Sequence, residues 1–497
     1  MVEGYVRFRT RAGRWILLTT VLGSGMATLD GTVVNVALPD LGRDLHAGMS
    51  GLQWTINAYT LTLAAFILLG GSLGDRLGRR KIFLVGVAWF ALASAACGLA
   101  PTTPVLVLAR ALQGIGGALL VPGSLAIIQA TFAPDDRPRA VGAWSGLGGV
   151  AAAIGPLLGG WLVEVAGWRW VFLLNLPLAV LVAVTARHVP ETRDGGPHGR
   201  FDVLGAALAA PALAGLTYGL ILAGDGLLPL AAGVVLAVAF VVVETRRSPN
   251  ALVPVGVFAS REFTAVNVVT FVMYAAMGLV FFLLVVQLQV AAGFSPIAAG
   301  SAMLPVTILM LLLSSRAGEL ARRVGPRPLM TGGILGCAAG LLMMSRIGPG
   351  SAYLTDVVPA AVVFGLGLSA AVAPLTATVL ATAEERYAGV ASGVNNALAR
   401  TGGLLAVAAV PPLVGLTGDA YNSPAGFTHG YRVAMLVCAA MMATAAVITF
   451  LTIRRNVLAA APEPACRSHC AVEAPPLGDL PGDGTRHGAP TGPGPTG

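Results

Sequence analysis

Charge is what this sequence has least of. Only 11% of its 497 residues are Asp, Glu, Lys or Arg, where a soluble domain carries roughly a quarter. Lysine is nearly absent: Lys81 stands alone beside 30 arginines, a bias that, with heavy Ala and Gly use, points to a GC-rich genome rather than to a function. Cysteine is scarce too. Cys97, Cys337 and Cys438 lie in apolar runs, and Cys466 and Cys470 lie in a polar tail, so no disulfide framework is expected. Cys466, His469 and Cys470 lack a fourth ligand nearby, which argues against a metal site. Phosphate-cradling loops, nucleophile elbows and zinc motifs are missing, which disfavours an enzyme or an ATP-driven pump and implies no cofactor.

What is abundant is apolar length. Residues of the hydrophobic class make up 56% of the chain, and runs of about twenty recur, each able to cross a hydrocarbon layer ~30 Å thick. The class is an all-α polytopic membrane protein resident in a lipid bilayer. Fourteen spans are expected, near 14–38, 52–74, 81–99, 104–130, 139–163, 169–188, 203–223, 227–244, 264–291, 297–317, 328–345, 353–379, 388–416 and 431–453. The first is expected to be a retained helix, because its apolar run continues through Asp30 and Asn35 to Pro39 without a small-residue cleavage site.

The net charge of +8 does not call for nucleic acid. With the N-terminus inside, 25 basic residues fall on the cytoplasmic side and four outside, which supports an even number of spans and two cytoplasmic termini. The densest basic loop is Gly71–Lys81, GSLGDRLGRRK, between the second and third spans. A partial copy, Gly318–Pro328, lies 247 residues later and overlays Gly71 on Gly318, Arg76 on Arg323, Gly78 on Gly325 and Arg80 on Arg327. Parallel repeats about an axis normal to the membrane are a transporter architecture. The expected organisation is a six-helix half over 1–190, linkers and two inserted helices over 191–262, a second six-helix half over 263–456, and a disordered cytoplasmic tail over 457–497.

Ionisable groups within spans are costly and mark polar pathways. Asp30 lies eight residues short of the outer end of the first span, roughly 12 Å deep. Arg110 lies about six residues, or roughly 9 Å, below the same surface on the fourth span. Burial disfavours a charged carboxylate and a neighbouring cation favours it, so a site where the two compete can exchange a proton. Against this stand the plainer readings of a structural contact and of an arginine snorkelling to the interface. Arg400 is a further intramembrane cation and a candidate cavity-lining group, which could instead satisfy backbone carbonyls. Asn57, Tyr59, Gln113, Tyr274, Gln287, Asn395 and Asn396 are candidate cavity-lining groups, as are Asn267 and Gln289, with interhelical contact as the alternative. In the fifth span Gly155, Pro156, Gly159 and Gly160 suit a bent, tightly packed helix acting as a seal or pivot between halves.

Gly71–Lys81 resembles the cytoplasmic signature of the major facilitator superfamily. Leu29–Pro39, LDGTVVNVALP, resembles the first-helix motif of its fourteen-helix drug:proton antiporters. Leu106, Arg110, Gln113, Gly114 and Gly116 match the superfamily's fourth-helix motif, and Gly155, Pro156, Gly159 and Gly160 match the fifth-helix antiporter motif, with Ala151 where the pattern has glycine. The resemblance covers nearly the whole chain outside the tail. It implies proton-coupled export of a small amphipathic compound, a drug or an antibiotic-like metabolite, by alternating access at the plasma membrane, with the proton as coupling ion and a monomer as working unit. It assigns proton coupling to Asp30 and Arg110. It assigns gating to Gly71, Asp75, Arg76, Gly78, Arg79 and Arg80, with Asp75 meeting the N-terminal end of a second-half helix. Members that export multivalent cations carry a further acid deep in the tenth span, where this chain has only Glu319 at the cytoplasmic end. A symporter of the same fold and a non-transporting membrane sensor are the alternatives. The fifth-span motif conflicts with the first, and the costly intramembrane charges with the second.

Overall fold

The computed structural model describes residues 5–193, 203–247, 255–383, 388–418 and 423–458. The tail from 459 onward, including Cys466, His469 and Cys470, lies outside them, as do Arg200 and Arg386. The helices are α1 (Arg11–Asp44), α2 (Met49–Leu77), α3 (Arg79–Gly98), α4 (Thr103–Thr131), α5 (Arg137–Ala166), α6 (Arg169–Leu173), α7 (Asn175–Thr185), α8 (Val203–Leu222) and α9 (Leu227–Arg247). They continue with α10 (Arg261–Val286), α11 (Pro296–Ser301), α12 (Leu304–Val324), α13 (Pro326–Met344), α14 (Val358–Thr382), α15 (Ala388–Leu413) and α16 (Pro424–Thr452). Among the described residues the only extended pairing is an isolated bridge between Val6 and Phe132.

Side-chain caps set several helix starts. The Thr10, Ser260, Ser295 and Ser423 hydroxyls accept from the backbone N–H groups of Gly13, Phe263, Ala298 and Gly426, satisfying donors that have no partner inside a helix. Proline does not always stop a helix here. The first span was expected to end near Leu38, yet α1 continues through Pro39 to Asp44. In a bundle the one missing hydrogen bond is tolerated, because neighbouring helices hold the segment.

Among the described residues, 11 helices are long and apolar enough to cross a membrane, or up to 12 when the bent α2 is counted. The difference from fourteen has two physical sources. Helices α8 and α9 follow each other so closely that they form one apolar stretch within Ala207–Arg247. Helix α15 carries Asn395, Asn396 and Arg400 and is too polar to count.

Helices α1–α7 pack mainly through α2 and α3 on α4 and α1 on α5, and α10–α16 through α10 on α15, α13 on α14 and α13 on α16. Helix α8 packs on α9 and also touches α2 and α15, so it sits where the two sets of helices approach. One apolar core includes Val33, Leu38 and Leu41 of α1 together with α10, α14 and α16. A second core, built around Ile16, Phe83, Phe90, Ile127 and Phe132, stays within α1–α7 and the segment after it. The two sets are therefore joined around the Asp44 end of α1 and separate toward the Arg76 end of α2.

The repeat seen in the sequence has a backbone counterpart. Gly78, between α2 and α3, has φ +116°, and Gly325, between α12 and α13, has φ +92°. Both positions need a residue without Cβ, and they stand 247 apart, matching the offset of the two basic loops.

Candidate functional site

Asp30 and Arg110, placed at similar depth from the sequence, are in direct contact. Arg110 Nη1 donates to Asp30 Oδ2 at 2.5 Å, and both side chains are essentially inaccessible, at 1% and 0% exposure. Arg110 Nη1 also donates to Gln113 Oε1 at 2.6 Å, and its Nε donates to the Thr55 carbonyl at 3.0 Å. The guanidinium lies 4.3 Å from the Tyr59 ring centroid, a face that attracts a cation. Asp30 Oδ1 accepts from Gln113 Nε2 at 2.8 Å and from Asn175 Nδ2 at 3.0 Å. Ser94 Oγ closes the network, accepting from Gln113 Nε2 at 2.6 Å and Asn175 Nδ2 at 3.2 Å. Four helices, α1, α3, α4 and α7, each supply a polar side chain to one buried knot, and α2 adds the Thr55 carbonyl.

Asn175 and Ser94 were not among the sequence candidates. Asn175 could have been found by the rule that picked out Asp30, since it is a lone polar residue in the apolar run FLLNLPL. Ser94 gives no such signal, because serine commonly bonds within its own helix.

Beside the knot lies a cavity of about 1380 Å³, whose walls come from both sets of helices. Of the expected lining residues, Tyr59, Tyr274, Asn395, Asn396 and Arg400 border it, and so does Arg110. Asn57, Gln113 and Gln287 do not. Gln113 is absorbed by the ion pair, and Gln287 Nε2 donates to the Ile347 carbonyl and to Thr428 Oγ1, tying α10 to the segment after α13 and to α16. Asn57 is buried with both side-chain polar atoms unpartnered. Asn395 Nδ2 donates to Asn267 Oδ1 and Thr270 Oγ1, so Asn267 supports the wall from α10.

The cavity reaches Gly71, Asp75 and Arg76 at one end. There Asp75 accepts from Arg79 Nε at 2.8 Å, one turn away on the chain. Among the described residues its ion-pair partner thus belongs to its own set of helices. Glu191 plays an unforeseen part: its carboxylate accepts from the Arg80 and Lys81 backbone N–H groups, both at 3.1 Å, across the start of α3. An acid at a helix N-terminus is stabilised by unpaired N–H groups and the helix dipole.

At the other end the walls meet. Gln53 Nε2 donates to the Val407 carbonyl at 2.6 Å and Gln289 Nε2 to the Val36 carbonyl at 2.9 Å. Of the α5 motif glycines, Gly160 faces the other set of helices across this seam, while Gly155 and Gly159 face α1 of their own set. A Cβ at Gly159 would be 3.0 Å from Val33 Cγ1 of α1, and one at Gly160 would be 2.5 Å from the Pro296 carbonyl oxygen of α11. Gly155 faces Thr32 and leaves no room for a side chain. Backbone is thus pressed against backbone on two faces of α5.

Apolar helices enclosing a central cavity, with a buried ion pair at its edge, define a membrane transporter. The family model described as Major Facilitator Superfamily matches residues 20–407, and the chain belongs to that family. The puromycin resistance protein of Streptomyces alboniger is 37% identical, over 88% of this chain and 91% of its own length. The tetracenomycin C resistance and export protein of Streptomyces glaucescens is 36% identical over 80% and 75%. The methylenomycin A resistance protein of Bacillus subtilis is 32% identical over 88% and 93%. By name all three are resistance proteins, and the second is also an export protein. The fold is that of a bacterial homologue of the human lysosomal transporter Spinster in an inward-facing, unoccupied conformation, with TM-score 0.65 at 17% identity over 91% of this chain and 100% of that one.

Proposed function

We propose that this protein is a proton-coupled antiporter exporting drugs or an antibiotic-like metabolite across the plasma membrane by alternating access. The observation that carries the reading is the Asp30–Arg110 pair, buried at the edge of a cavity walled by both sets of helices. A carboxylate held only by a cation and two amides can be released by protonation, and the freed guanidinium then borders the cavity. The relatives named for resistance and export support the direction of transport.

In this reading α1–α7 and α10–α16 are the two six-helix halves, α8 and α9 are inserted spans that bring the number to fourteen, and the monomer is the working unit. The Arg76 end is cytoplasmic, as the arginine distribution indicates, as are both termini. The cavity then faces the cytoplasm, with Gly160, Gln53 and Gln289 closing the outer side. Gly71–Arg80 form the inner gate, and Asp75 exchanges Arg79 for a second-half partner when that gate closes.

The test uses inverted vesicles from a pump-deficient host expressing the chain, first screened for resistance against a panel of toxic compounds. Adding a compound that the chain protects against should dissipate an imposed pH gradient in wild-type vesicles and leave it intact with Asp30→Asn. Unchanged gradient dissipation in that variant would remove Asp30 from the coupling step.

A further inference from the structure

The cavity wall carries four charged side chains: Asp75, Arg76, Arg110 and Arg400. Two have a counterion. Asp75 pairs with Arg79 at the mouth, and Arg110 pairs with Asp30. Arg76, also at the mouth, makes interactions of its own. Arg400 differs. It stands twelve residues from the start of α15 and thirteen from its end, roughly 18 Å from either terminus and so near the middle of the span. Among the described residues no acid lies within ion-pair distance of it. The Tyr59 and Tyr274 side chains share the cavity wall with it. Its Nε is buried and has no hydrogen-bond partner.

An unmatched guanidinium at mid-membrane depth is expensive, and such groups normally face a partner or a water-filled pathway. The fixed groups nearby do not meet this need. Asn395 Nδ2 donates to Asn267 and Thr270, and Asn396 Nδ2 donates back to the Ser392 carbonyl. Neither amide carries a negative charge, and apolar residues such as Ile56, Leu63 and Phe281 make up much of the remaining wall.

Resting on the exporter reading, and narrowing its substrate class, we propose that the cavity takes an amphipathic organic anion whose carboxylate, or an equivalent acidic oxygen, binds Arg400. A planar guanidinium offers two parallel donors to such a group. The anion supplies the missing counterion, and its apolar body lies against the aliphatic and aromatic wall. Asp30 is kept from repelling it because Arg110 stands between the carboxylate and the chamber.

The experiment measures binding, without any gradient, to the purified full-length protein in detergent. Three fluorescent isosteres serve as probes: 9-anthracenecarboxylate, its uncharged carboxamide, and the cationic 9-anthracenylmethylammonium. Wild-type protein should bind the carboxylate at least tenfold more tightly than the amide, and the ammonium weakest. Arg400→Gln should erase the preference for the carboxylate while leaving amide binding within about twofold, and Arg400→Lys should keep part of it. Equal affinity for carboxylate and amide, no binding of the carboxylate, or tightest binding of the ammonium would each overturn the assignment. So would an equal loss for carboxylate and amide in Arg400→Gln, which would mark a packing role. The wild-type comparison stands even where a variant fails to fold. Proton-coupled efflux is read separately in the vesicle assay, so failure of the anion assignment and failure of antiport give different results.

Discussion

Replacing Asp30 by asparagine changes one oxygen to nitrogen in the most heavily bonded knot of the molecule. The carboxylate accepts from Arg110, Gln113 and Asn175. An amide at that position loses the charge and presents a donor toward groups that are themselves donors. Arg110, only 1% exposed, is left as a buried cation with the Thr55 carbonyl and Gln113 Oε1 as acceptors. Removing one partner of a buried pair typically costs about 3–5 kcal/mol, whereas replacing both by neutral groups costs far less. Asp30→Asn should therefore lower the Tm of the purified protein clearly, and Asp30→Asn with Arg110→Gln should recover most of the loss. Under the proposed mechanism transport should not recover in the double variant, because Asp30 is the group proposed to take the proton. Thermal unfolding in detergent gives the first quantity and gradient dissipation in vesicles the second. A double variant as unstable as the single one, or one that regains coupled efflux, would refute the ion-pair account.

Gly160→Val should abolish export while leaving the protein in the membrane, since its Cβ would lie 2.5 Å from the Pro296 carbonyl oxygen and 2.7 Å from Ile297 Cα; cysteine labelling at Val36 should become faster as the seam opens. Asp75→Asn removes a partly buried pair between the end of α2 and the start of α3, worth about 0–1 kcal/mol, so probe affinity should hold while turnover falls, and a large loss of affinity would contradict a gating role. Glu191→Gln should weaken the cap on α3 by ~0.5–1 kcal/mol; hydrogen exchange at the Arg80 and Lys81 amides should rise, and unchanged protection would show that the carboxylate does not hold that turn.

Depth within a span is legible in a sequence, and rotation about the helix axis is not. Counting residues from the ends put Asp30 and Arg110 at one level, but contact also needs their helices to turn the right faces toward each other, which packing decides. The same limit separates Tyr274 from Gln287. Both are polar or amphipathic residues of one apolar run; one borders the cavity and the other ties α10 to Ile347 and Thr428. The α5 glycines were legible because a small-residue pattern itself states that something comes close. What comes close, α1 on one side and α11 on the other, emerges only from the fold. Glu191 was hidden for another reason. It reads as one more charge in a polar linker, and its partners are backbone N–H groups, which leave no trace in residue type.

Asp30 does not border the cavity, whereas Arg110 and Tyr59 do. The chamber that would hold a cargo and the carboxylate that would hold a proton therefore share a wall but no surface. Residues elsewhere on that wall, such as Ile56 or Phe281, can change in size and polarity without disturbing any atom bonded to Asp30. In the proposed reading, cargo preference is then free to drift while the proton-coupling step stays fixed. An exporter built this way would meet a new toxin by ordinary point substitution, with no need to reinvent its engine.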